Sequence, residues 1–161
     1  MKKKLEAYSE TLYHLINFRI EQFNQSKSML GIDYESFMIL SVIGSHYLKN
    51  NIAKSSNWDD AWEQVRSSKI EELYSKKKLT IFAVSSILSL PKETVRRKIE
   101  VLKKKKLLIH SSKLGLLPHQ KGEDLLKPFA SKELFSLSNF LQALKKHKTL
   151  DQILNLKEND I

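Results

Sequence analysis

The side chains between Pro91 and Lys106 are of kinds that carry charge and form hydrogen bonds, with no nucleophile or paired acid and base among them. Lys92, Glu93, Thr94, Arg96 and Arg97 crowd the start of this stretch. An arginine guanidinium offers two parallel hydrogen bonds that match O6 and N7 of guanine, and threonine meets either a base edge or the thymine methyl. Glu93 has two available roles, accepting from cytosine N4 or orienting Arg97 one helical turn later, and the orienting role is preferred. Lys103, Lys104, Lys105 and Lys106 follow as an unbroken cationic run. Such a run suits phosphate, and it also complements the negative end of a helix macrodipole.

These residues need an element that turns them outward. Val95, Ile99 and Leu102 recur at i, i+4 and i+7, the spacing of a narrow buried helical stripe. With Val95 at zero, Glu93, Lys104 and Arg97 fall near 160°, 180° and 200° at about 100° per residue. Thr94 and Arg96 flank that outward face. A shorter helix is expected before it, from Thr80 as N-cap to Leu88, with Ile81, Val84, Ile87 and Leu88 inward. Ser85 is small where two helices must cross. Ser89 must tolerate a strained or left-handed turn, Leu90 plugs the corner, and Pro91 suits the first helical turn because its missing N–H would be unsatisfied there. Leu107–His110 then switches to a β-type run, and Ser111–Gly115 supplies a hairpin turn with Lys113 at its tip.

Two helices of these lengths, Leu90-Pro91 at the corner, Thr94-Val95-Arg96-Arg97, the Leu102/Leu107 pair and the hairpin resemble the winged helix-turn-helix domains of bacterial transcriptional regulators. The nearest likeness is to small regulators with a Leu-Pro-x-Glu-Thr-Val-Arg-Arg recognition helix after an all-helical region. It covers about residues 78–118 and departs at Ser89 and Lys106, where glycine is common. The resemblance implies a mainly α protein, with a winged helix-turn-helix and small β-hairpin wing flanked by N- and C-terminal helices. It also implies sequence-specific binding of double-stranded DNA in transcriptional control. Helix 91–104 would read base edges through Lys92, Glu93, Thr94, Arg96 and Arg97, and hairpin 107–118 would be the wing. Phosphate and wing contacts fall to Lys76, Lys77, Lys78, Lys103, Lys104 and Lys113.

Charge agrees with that placement. Of a net charge of +10, residues 76–106 hold eleven lysines and arginines against two glutamates, so the remainder is almost neutral. Concentrated basicity marks a polyanion site more than a solubility device. Around this module, helices are expected at 4–25, 34–49 with Asp33 as N-cap, about 57–74, 132–146 and 150–156. The first carries an apolar stripe of Leu5, Tyr8, Leu12, Leu15, Ile16, Ile20 and Phe23, interrupted at Ser26–Gly31. The helix at 34–49 is apolar on nearly every side and should be buried. A polar linker is expected at Asn50–Asn57, and Pro128 should end an irregular passage. The expected division is a helical region at 1–75, the DNA-binding module at 76–120, and C-terminal helices at 121–161.

Several chemistries lack their residues. There is no Cys, no His-Glu-x-x-His helix, no Gly-x-Ser-x-Gly elbow and no glycine-rich phosphate loop. His14, His46, His110, His119 and His147 show no ligand spacing, so no metal, cofactor or catalysis is expected. Asp59, Asp60 and Glu63 read as helix capping, Trp58 and Trp62 as core, and His46 and Tyr47 as ordinary packing before an effector pocket. No membrane-length apolar run and no secretory leader pattern occur, and a cytoplasmic location is expected. A homodimer is expected because one recognition helix rarely supplies enough affinity. The helices at 4–25, 34–49 and 132–146 offer surplus apolar surface for it. The alternative is a winged module that mediates protein or RNA contacts in a larger assembly.

Overall fold

A computed structural model describes residues 2–51 and 78–157. The described elements are α1 (Lys2–Leu30), α2 (Tyr34–Asn51), α3 (Ile81–Leu88), α4 (Lys92–Lys104), β1 (Leu108–Ser111), β2 (Gly115–Pro118), α5 (Glu123–Lys146) and α6 (Leu150–Leu154). A single 3-10 turn, Gln120–Gly122, precedes α5. The described residues are therefore mainly helical, with one small antiparallel hairpin among them. The expected helix at 57–74, the end of the linker, Trp58, Trp62, Lys76 and Lys77 lie outside the described residues, as do the side chains of Leu5 and Tyr8. By packing, the chain groups into Met1–Met29 with Pro128–Ile161, and Leu30–Lys127. The grouping places α2 with the segment 78–118, whereas composition divided the chain near 75 and 120.

Within Leu30–Lys127, α2 packs against α3, α4 and β2, and β1 packs against α4. Asp33 caps α2 by accepting the Ser36 N–H at 2.8 Å. Phe37, Ile39, Leu40, Ile43 and Tyr47 are buried, but Tyr34 and Leu48 are exposed, so α2 keeps one open face. Thr80 caps α3 by accepting the Ala83 N–H at 3.1 Å. Val84 is fully buried, yet Ile87 is 61% exposed, against the expectation that it points inward. The buried face of α3 runs through Val84, Leu88 and Ile81 on one side of Val84, and Ile87 falls about 60° to the other side. The hairpin pairs Leu108 with Pro118 and Ser111 with Gly115. Every residue of β2 is buried.

Three helices stop in the same way. The residues after α3, α4 and α5, namely Ser89, Lys106 and Lys148, take positive φ values of 54°, 57° and 59°. In each, the next N–H reaches back across the turn: Leu90 to the Ser85 carbonyl (3.1 Å), Leu107 to Leu102 (3.1 Å) and Thr149 to Leu144 (2.9 Å). This is the Schellman stop, normally built around glycine, with an apolar contact between the residues it joins. Leu102 and Leu107 have no solvent exposure, so burying that pair holds Lys106 in its disfavoured conformation. At the α3 stop the Ser85 hydroxyl adds a hydrogen bond to the Leu90 carbonyl at 2.6 Å, a second use of a side chain singled out only for its size.

In the group of residues 2–29 and 128–157, two sequence-derived boundaries are corrected. Helix α1 does not break at Ser26 but continues to Leu30, and Gly31 follows with φ of 61°. Ser26 donates its hydroxyl to the Phe23 carbonyl at 2.8 Å, satisfying itself without disturbing the helix. Pro128 likewise lies inside α5. Being the sixth residue, it forfeits one backbone bond, to the carbonyl four residues back, while Glu123 and Asp124 favour the helix start. The apolar stripe of α1 turns outward, as surplus apolar surface would: Leu12, Ile16, Ile20 and Phe23 are exposed, whereas Thr11, Gln25 and Ser26 are buried. The inner seam is mixed, with a hydrogen-bonded cluster beside buried apolar side chains such as Leu144. Gln25 donates to Ser136 at 2.8 Å, Ser136 donates to Glu21 at 2.9 Å, and the Phe18 and Phe140 rings stack at 5.3 Å.

The left-handed stops have opposite expectations from a tight glycine. Ser89→Gly and Lys106→Gly should each raise the free energy of unfolding by about 0.5–1 kcal/mol, because relief of the αL penalty exceeds the added unfolded-state entropy. Gly115 has φ of 74°, and a Cβ there would lie 2.4 Å from the Leu79 carbonyl oxygen. Gly115→Ala should lose on the order of 3 kcal/mol. Urea unfolding midpoints measure both signs.

Candidate nucleic-acid interface

Helix α4 carries the site. Val95, Ile99 and Leu102 have no solvent exposure, which fixes the rotation of the helix. Lys92, Glu93, Arg96 and Arg97 are exposed along the opposite side of its first half, and Thr94 is half-buried at the edge. Pro91 stands at the N-cap position with extended backbone, and the helix begins at Lys92. The first-turn N–H groups and the outward cations therefore share one end of α4.

Glu93 does not behave as expected. Its carboxylate lies 3.7 Å from the Arg96 guanidinium, one turn on by three residues, instead of orienting Arg97. Both separations bring residues to one helix face, and only the rotamers decide between them. Lys92, Arg97 and Lys104 have no hydrogen-bond or ion-pair partner among the described residues, so their donors are available to a ligand. Lys103 is different, since it holds Glu100 at 3.0 Å. Lys78 donates to the Ser112 carbonyl at 3.2 Å, which fastens the residues before α3 to the hairpin turn. Lys113 is exposed in that same turn, and the Ser111 hydroxyl closes the turn by accepting the Leu114 N–H at 2.9 Å.

Lys98 received no role from the sequence, and it anchors the helix. Only 12% of its side chain is exposed, and its ammonium lies 2.7 Å from Asp33 and 3.1 Å from Glu35 at the start of α2. Hydrogen bonding to Asp33 raises the Lys98 pKa despite burial, with Glu35 adding to the effect. Burial alone would raise the Asp33 pKa, but Lys98 and the Ser36 N–H outweigh it and hold the carboxyl low. Sequence distance hid this contact. A lysine among five other cations on α4 gives no sign that it faces inward until α2 is placed beside α4.

Two imidazoles with shifted pKa values belong to the hairpin region, His110 on β1 and His119 just after β2. Burial and then the Lys103 charge lower the pKa of His110, with Glu100 opposing. Burial, Lys106 and Lys121 lower that of His119, whose Nδ1 accepts the Lys121 N–H at 2.8 Å. Burial raises Tyr47 to about 12, so its phenol stays neutral inside the core.

Comparison with protein-family models, with curated proteins and with solved structures finds no match to this chain.

The histidine shifts set a direction for pH dependence. A folded pKa below the unfolded value means that the unfolded chain binds more protons, so stability is full above the ordinary value of 6.5 and falls as acid is added below it. A His110→Gln/His119→Gln variant should lose less stability than the parent when the pH is lowered through 6.5. Asp33→Asn keeps a cap acceptor and should retain the parent's histidine response, while losing about 1 kcal/mol or less near neutrality. Thermal unfolding across pH distinguishes the two.

Proposed function

We propose that the segment from α2 through β2 is a winged helix-turn-helix module that binds double-stranded DNA and regulates transcription. The observation that carries this reading is the two-sidedness of α4: a fully buried Val95/Ile99/Leu102 stripe opposite exposed Lys92, Arg96 and Arg97 at its N-terminal half. That is the arrangement with which a recognition helix addresses the major groove. Element order supports it further. After α2, Leu79 gives its carbonyl to the Leu116 N–H at 2.9 Å, so the chain just before α3 borders the hairpin. The hairpin then serves as a short wing with Lys113 at its tip. Arg97 is assigned to base edges and Lys104 to phosphate, with Lys103 contributing less because Glu100 already holds it.

A homodimer fits the exposed apolar seams. Tyr13, Ile16, Ile20 and Phe23 on α1 are spaced by three, four and three residues, and Leu134, Leu137 and Leu141 on α5 by three and four. This heptad-like period is what a helix face needs in order to pack along another helix. A second copy supplies the same seams, and two modules together read two half-sites. The alternative of a winged module for protein contacts draws on Phe82 and Ile87, both well exposed on α3.

Selection from random DNA duplexes tests the reading, with a defined site expected and no enrichment overturning it. On that site, Arg97→Ala should relax preference at particular base pairs by about 1–3 kcal/mol, whereas Lys104→Ala should weaken all sequences similarly and reduce the salt slope by about 1. Equal, sequence-independent losses from both would leave only nonspecific binding. Light scattering should give a dimer mass that falls to a monomer in Ile20→Glu/Leu137→Glu. A parent chain that is monomeric with and without DNA refutes the dimer.

A further inference from the structure

We propose that Glu10, His14 and His147 form a binding site for a divalent transition-metal ion of the zinc type. The proposal is independent of the DNA-binding reading, since all three residues lie in the group of residues 2–29 and 128–157. Glu10 and His14 are four residues apart on α1 and so share one face. His147 follows the last residue of α5, where the Schellman stop turns the chain. No spacing rule finds this set, because the third member is supplied by the packing of α5 on α1.

The geometry suits one ion. The Glu10 carboxylate oxygen lies 2.8 Å from His147 Nδ1 and 3.9 Å from His14 Nε2, and all three donor atoms lie within 4.8 Å of one another. Ligand bonds of about 2.0–2.2 Å in tetrahedral geometry place donors roughly 3.3 Å apart. The proposed site therefore requires the three donors to draw together by about an ångström through side-chain rotation. The two rings are already near one another, with centroids 5.4 Å apart.

A second observation points to a ligand. His14 Nε2 is buried and has no hydrogen-bond partner. A buried ring nitrogen left unsatisfied is costly, and coordination through its lone pair removes that cost. Two imidazoles and one carboxylate favour zinc, nickel, cobalt or copper over magnesium or calcium, which prefer oxygen alone. Three protein ligands leave a coordination position for water or a small ligand.

The test uses the full chain, treated with chelator and then titrated with Zn²⁺ by calorimetry and with Co²⁺ by visible absorption. One ion per chain is expected, with a dissociation constant on the order of micromolar or tighter. His14→Gln and His147→Gln should each weaken binding by about tenfold or more, and His119→Gln should leave it unchanged. Zn²⁺ should also raise the melting temperature of the parent but not that of the His14→Gln/His147→Gln variant. His147 is partly exposed at a helix end, so its replacement leaves the core intact. No binding by the parent, or binding that survives in the double variant, overturns the proposal.

Discussion

Rotation of α4 about its own axis governs everything the candidate interface does. Val95, Ile99 and Leu102 lie one helical turn apart and are completely removed from water. Burying each such side chain is worth about 1.5–3 kcal/mol, and a rotation of even half a residue step would expose some of that surface. Lys98 reinforces the setting through its short contacts with Asp33 and Glu35. Because the inward side is fixed by apolar burial on one edge and an ion pair on the other, Lys92, Arg96 and Arg97 have only one direction left. Their outward display is thus a consequence of the core.

The same economy appears in the helix stops. Ser89 and Lys106 occupy left-handed backbone that favours glycine, yet both are held there by what comes next. Leu107 must meet Leu102 for β1 to start, and Leu90 must return to Ser85 for α4 to begin where it does. These turns set the distance between α3, α4 and the hairpin. Each costs local strain, offset at Lys106 by the burial of Leu102 and Leu107 and at Ser89 by the hydrogen bonds between Ser85 and Leu90.

The α1 and α5 pair combines a partly polar inner seam with apolar outer ones. Its inner seam contains Gln25, Ser136 and Glu21 in a hydrogen-bonded set, and its outer seams carry Tyr13, Ile16, Ile20, Leu134 and Leu141. The hydrogen-bonded set within the inner seam fixes which residues face each other, because slipping it would strand buried donors and acceptors. Apolar outer seams of matching period leave association with another helix face as the way to remove them from water.

Local chemistry was legible in the sequence. The Thr80 and Asp33 caps, the extent of α3 and α4, the hairpin and the left-handed turn at Ser89 all follow from patterns spanning a few residues, and so does the inward trio of α4. Helix ends that compete with serine or proline were not legible: Ser26 and Pro128 are accommodated inside helices, since neighbours decide whether a weak break prevails. Which side of an amphipathic helix is buried also lay beyond the sequence, as Ile87 demonstrates. Periodicity fixes that a face exists, but only the packed partner determines whether that face turns inward. The Lys98 pairing with Asp33 and Glu35, and the approach of His147 to Glu10 and His14, belong to tertiary structure alone. They join residues far apart in the chain, and no local pattern encodes a contact whose two sides are brought together only by folding.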